Sequence, residues 1–303
     1  MNMADSPLSV PLESPTPHFL RNPQLPFVLL RVFLYLVLVE AFTYELFWFA
    51  KFAGLTGYPA LAPRSLINGE AIRLAAVLAG TWVMARLERR ALGDFGLPFG
   101  GALAKDFCQG AVFGLLEISA VLGTLAALGY YHFGVVAIHG AKLVQWLAFW
   151  LAFFVVVGLF EEFAFRGYVQ FALTQGLGFW LASLATSLTF GAVHLTNPGE
   201  TWTGIAGVVL TGLFWCFTLR RTGSLWFAVG MHAAFDFGET FLYSVPDSGT
   251  LFPGHLSGAT LTGPTWLSGG TAGPEASIFD FVVLVLLFYA FHRLYPRPAA
   301  QQS

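Results

Sequence analysis

Three apolar stretches of this chain carry ionisable side chains: Glu161, Glu162 and Arg166 in the first, His194 in the second, and His232, Asp236 and Glu239 in the third. A charge at the centre of a membrane helix costs about 2.5–3.5 kcal/mol on insertion scales, so such groups need a partner or a task. Carboxylates and imidazoles in a water-poor setting suit one task in particular. A carboxylate can take a proton from water and return it to a leaving amine, while imidazoles position that water and stabilise an oxyanion, which together hydrolyse a peptide bond.

The spacing decides which groups can meet. On a helix, residues i and i+4 share a face and i, i+1 point about 100° apart. Glu162 and Arg166 are therefore stacked as an ion pair, with Glu161 turned away from it towards a cavity; the alternative is one buried network of all three. His194 lies four residues after Phe190, whose ring shares its stripe, and a lone helical histidine of this kind is either a core residue or a water-positioning group. His232 and Asp236 converge on one face, where the carboxylate can fix the imidazole, or they satisfy only each other. In the catalytic reading Glu161 is the general base and later the acid, His194 holds the water, and His232, oriented by Asp236, meets the oxyanion. Glu239, one turn further, reads as a boundary residue without a role.

The elements that must position these groups are membrane helices. The chain has 303 residues, of which 56% are hydrophobic, 17% aromatic and 11% charged, against roughly 25% charged in soluble domains. Its formal charge of −2 and lack of a basic cluster exclude nucleic acid as a partner and leave the lipid bilayer. Apolar runs near the roughly 20 residues that cross a hydrocarbon core are expected over Phe27–Ala53, Glu70–Arg86, Asp106–Tyr131, Leu143–Gln175, Leu177–Leu195, Trp202–Leu219, Leu225–Val245 and Ser277–Leu294. The fold class is thus all-α, a polytopic transmembrane bundle of about eight helices over residues 27–295, with the motif-bearing core at 143–245.

Residues 1–26, rich in Pro and Ser and without a basic leader, read as a flexible tail, and 296–303 as a C-terminal tail. Residues 246–276 lack Lys and Arg, are full of Gly, Ser, Thr and Pro, and read as an outer loop. With both termini cytoplasmic, Arg21, Arg86, Arg89, Arg90, Lys105, Arg220, Arg221, Arg293 and Arg297 fall on the inner side and only Lys51, Arg64 and Lys142 on the outer. Gly110 and Gly114 make a GxxxG step suited to close helix packing. Cys108 and Cys216 read as small core residues rather than a disulfide, and Glu40 and Glu45 as packing residues paired with Arg31 or Lys51.

Taken in order, Glu161-Glu162-Phe163-Ala164-Phe165-Arg166, Phe190-Gly191-Ala192-Val193-His194 and His232-Ala233-Ala234-Phe235-Asp236 resemble the EExxxR, FxxxH and HxxxN or HxxxD motifs of the CPBP family. These are the CAAX protease and bacteriocin-processing intramembrane proteases, related to type II CAAX prenyl endopeptidases. The stretch Leu92-Gly93-Asp94-Phe95-Gly96-Leu97 is similar to the family's linker ahead of its core helices. The resemblance implies a glutamate-dependent intramembrane endopeptidase acting on a membrane-associated protein or peptide, with no required cofactor. Asp236 stands where the eukaryotic enzymes have Asn, a change common among bacterial members, and this with the composition points to a bacterial plasma membrane.

Rival readings remain open at this level. Zinc held by His194, His232 and Glu161 would also activate water, although no HExxH helix is present. A proton-coupled transporter also needs midplane charges, but no internal repeat is evident and the charges crowd into few helices. A catalytically silent membrane scaffold could use the same pocket to bind a partner helix.

Overall fold

In hydrocarbon every backbone N–H and C=O must be satisfied within the chain, so the apolar runs fold as helices. The computed structural model describes residues 23–98 and 100–296; most of the expected N-terminal tail and all but the start of the C-terminal one lie outside the described residues. Helices α1 (Leu25–Phe52) and α2 (Pro63–Glu88) each place a proline in the first turn, where its missing N–H costs nothing. The first helix therefore begins inside the segment expected to be tail. There follow α3 (Gly101–Ala127), α4 (Gly140–Arg166), α5 (Tyr168–Leu177), α6 (Phe179–His194), α7 (Trp202–Thr222), α8 (Trp226–Phe237), the single turn α9 (Thr265–Ser268) and α10 (Ile278–Leu294).

The architecture is the expected all-α polytopic bundle, and among the described residues the fourth expected span is divided. Gly167, at φ −80° and ψ −115°, ends α4 and starts α5. Among the described residues, five segments are long and apolar enough to cross a membrane: Leu25–Phe52, Pro63–Glu88, Leu103–Ala127, Gly140–Leu177 and Trp202–Thr222. Helix α8, with 12 residues, rises only about 18 Å against a core of about 30 Å. It is an internal helix, buried along its length except at Ala234 and Phe235.

Small residues let other helices close around α8. A Cβ on Gly110 or Gly114 of α3 would fall onto the carbonyl oxygens of Phe227 and Met231, and one on Gly230 of α8 onto that of Phe107. On the opposite side, a Cβ on Gly158 of α4 would stand 3.0 Å from the Val229 carbonyl. The GxxxG step is thus a backbone-to-backbone contact. The start of α8 is fixed by the Leu225 N–H, which donates to the Gly96 carbonyl at 2.7 Å, and by the Trp226 N–H, which donates to Ser224 Oγ at 3.2 Å.

After α8 the chain passes through a π-helical turn, Gly238–Leu242, and the Pro246–Ala276 segment folds back over the helix ends. Strands β1 (Tyr131–His132) and β2 (Thr260–Leu261) pair antiparallel, Ser257 Oγ donates to the Phe133 carbonyl at 2.6 Å, and the Leu256 N–H donates to that of Phe241 at 3.1 Å. Two packing expectations change. Cys216 is buried but Cys108 is exposed, both free. Arg31 turns inward to Glu88 at 3.7 Å and Gln175 at 3.1 Å, away from the exposed Glu40 and Glu45.

Gly110→Val should lower the thermal midpoint of the detergent-solubilised protein, a loss of about 1–3 kcal/mol or more from overpacking. Gly123→Ala on the same helix, where a Cβ meets nothing within 4 Å, should leave the midpoint unchanged.

Candidate active site

The site is assembled where α4, α6, α7 and α8 meet. Arg166 and Glu162, both fully buried, lie one turn apart on α4 with Nη1 donating to Oε1 at 3.3 Å. The guanidinium also lies over the rings of Phe190 at 4.4 Å and Trp215 at 5.3 Å, a cation–π cage that offsets part of its desolvation. Gly212 makes room for it: a Cβ there would stand 2.5 Å from Nη2.

Glu162 has a second contact. Its Oε1 lies 3.2 Å from His232 Nδ1, so the carboxylate that anchors Arg166 also anchors the imidazole. His232 Nε2 in turn lies 3.3 Å from Asp236 Oδ2 and 3.7 Å from Glu161 Oε2. Each ring nitrogen therefore has a carboxylate acceptor within reach. Trp215 stacks on the imidazole with ring centroids 4.5 Å apart and planes inclined by 18°, which removes its remaining rotational freedom. The side chain of Glu161 remains 26% exposed.

His194 is held separately. Its Nδ1 donates to the Phe190 carbonyl at 2.7 Å, since a carbonyl can only accept, and the neutral ring is left with an acceptor at Nε2. Phe190 packs edge-on against the ring at 4.5 Å. His194, His232, Asp236, Phe190 and Trp215 share the wall of one cavity of about 60 Å³, room for a few water molecules. Glu161 is beside that cavity, against His232, rather than on its wall.

The same cavity holds acidic residues that the motif spacing gave no reason to join: Glu117 of α3, Glu239 of the π turn, Asp247 and Glu275 of the folded-back segment, and Asp280 of α10. Glu239 is thus buried at the centre, contrary to the boundary position expected for it. Thr240 Oγ1 donates to Asp247 Oδ2 at 3.0 Å, and the Ser248 N–H donates to Glu275 Oε1 at 2.9 Å. Ser244 and Ser248, flanking Asp247, both have positive φ, 58° and 47°, strain that the surrounding structure must hold. Burial pushes the Asp247 and Glu275 carboxyls up, and neighbouring carboxylates add to it at both. Their i, i+4 partners lie elsewhere, so only the apolar surroundings of Glu117, Glu239 and Asp280 in the sequence could have flagged the set.

The rival zinc set, His194, His232 and Glu161, does not bring three ligand atoms within 4.8 Å of one another. Among the described residues, the His, Asp and Glu side chains that bring three ligand atoms together are Asp236, Glu239 and Asp247, not His194, His232 and Glu161. Both nitrogens of His232 already face carboxylates.

Fold and site define a polytopic membrane protein with a buried carboxylate–imidazole centre. Residues 143–238, from α4 to the end of α8, match the family model described as Rce1-like type II CAAX prenyl endopeptidase, and this part of the chain is a domain of that family of glutamate-dependent intramembrane proteases. No curated protein and no solved structure matches the chain.

Arg166→Leu leaves Glu162 buried without its guanidinium, and should cost about 3–5 kcal/mol of stability. Arg166→Leu combined with Glu162→Leu should recover part of that loss; thermal unfolding in detergent distinguishes the two outcomes.

Proposed function

We propose that the protein hydrolyses a peptide bond of a membrane-associated protein or peptide, using a water activated by Glu161. The observation that carries this reading is the approach of Glu161 and Asp236 to one nitrogen of a clamped imidazole, beside a polar cavity that also receives His194. The family to which residues 143–238 belong supports the same reaction class.

Glu161 takes a proton from water as the oxygen attacks the scissile carbonyl, and gives it to the amine as the C–N bond breaks. His194, anchored at Nδ1, accepts a hydrogen bond from that water at Nε2. With Glu162 holding Nδ1 and the ring plane, the Nε2–H of His232 turns from its carboxylate acceptor to the developing oxyanion, so that little reorganisation is needed. An oxyanion beside Asp236 is tolerable only through this imidazole, because a bare carboxylate would repel it. The arginine-rich ends counted in the sequence support a chain with both termini in the cytoplasm, and Asp236 with the composition supports a bacterial plasma membrane.

Glu161→Gln keeps the shape of the side chain and removes the base. Cleavage should fall about 10²–10⁴-fold while the unfolding midpoint stays at the wild-type value. Terminal proteomics of cells carrying the native chain or this variant supplies the substrate and the rate; an unchanged set of cut peptides would remove Glu161 from the mechanism.

A further inference from the structure

Beyond Asp236, the acidic side of the cavity is not needed for the hydrolysis just described. Asp236, Glu239 and Asp247 each offer a carboxylate oxygen, and the three oxygens all lie within 4.8 Å of one another. Asp236 and Glu239 are one helical turn apart and face the same way, while Asp247 comes from the segment that folds back, held by Thr240. Only Asp236 falls within the stretch that matches the family model.

Two separate observations point to a ligand between them. Glu239 is 1% exposed and lines the cavity, and its Oε1 finds no donor among the described residues, only the carboxyl of Glu275, whose Oε2 is equally without one. Asp280, 2% exposed on another wall, has an Oδ1 in the same condition. Among the described residues no lysine or arginine lines the cavity, so a group of carboxylates faces a shared space with only the His232 imidazole to balance it, the His194 ring being neutral. Buried anions in that setting take either protons or a metal cation.

We infer that Asp236, Glu239 and Asp247 form a binding site for a hard divalent cation, calcium before magnesium, with Asp280 facing it from across the cavity. All-carboxylate donors suit oxygen-seeking ions rather than zinc or copper. Magnesium keeps several waters and is usually held by one or two carboxylates, whereas calcium accepts a larger set of protein oxygens, and three buried carboxylates with oxygens all within 4.8 Å of one another offer such a set. The ion would tie the end of α8 to the folded-back segment, and would share Asp236 with His232. The ion takes no part in the bond-breaking step proposed above and meets that machinery only through Asp236.

The test uses the full chain, purified in detergent, stripped with chelator and titrated calorimetrically with calcium, magnesium, manganese and zinc chlorides, with bound metal counted by mass spectrometry. One calcium per chain is expected, with a rise in the thermal midpoint, and at least tenfold weaker binding in Glu239→Gln and in Asp247→Asn. Glu161→Gln should bind calcium as the wild type does, so a failure of the protease reading would leave this result standing. Folded wild-type protein that takes up no calcium at millimolar concentration overturns the inference, whether or not the variants fold. So does affinity unchanged in both variants, or a preference for zinc over calcium.

Discussion

The interior of this bundle depends on one constraint: a guanidinium that has left water must be surrounded by groups that replace it. Arg166 meets that constraint with Glu162 and two aromatic faces, and Glu162 extends the network to His232. Phe190, under the guanidinium, supplies the carbonyl that orients His194. The charge therefore links the conformations of α4, α6, α7 and α8. Such a network is costly to create and costlier to break at one end, which makes it a device for defining geometry rather than a source of stability.

The close approach of backbones does the complementary work. Gly110, Gly114, Gly158 and Gly230 let α3 and α4 lie against α8, and this brings Glu161 and Glu162 within reach of a helix too short to span the bilayer itself. Polar groups and glycines are thus two halves of one solution, since the 3.2 Å contact between Glu162 of α4 and His232 of α8 needs helices closer than large side chains permit.

The sequence made part of this arrangement readable. Contacts between residues four apart, Glu162 with Arg166 and His232 with Asp236, follow from helical periodicity, as does the place of Phe190 under His194. Apolar run length revealed the helices, with ends shifted by a few residues. What periodicity cannot carry is the meeting of separate elements: Glu162 with His232, Trp215 with His232, or Glu117, Glu275 and Asp280 around one space. The break at Gly167 was hidden because the residues on both sides are equally apolar. The Gly- and Ser-rich segment after α8 reads as an outer loop in sequence; the packing of its Phe252, Leu256 and Leu261 on the core and the place of Asp247 and Glu275 on the cavity wall depend on contacts that no local pattern carries.

The contact between α3 and α8 also bears on modularity. The stretch recognisable as a family domain begins after α3, yet Gly230 rests directly on the Phe107 backbone, with no side chain between. Excised at its recognisable borders, that domain would present a bare strip of peptide groups along its central helix, with neither lipid nor water shaped to fill it. The heritable unit of sequence and the smallest autonomous folding unit are therefore different lengths of chain.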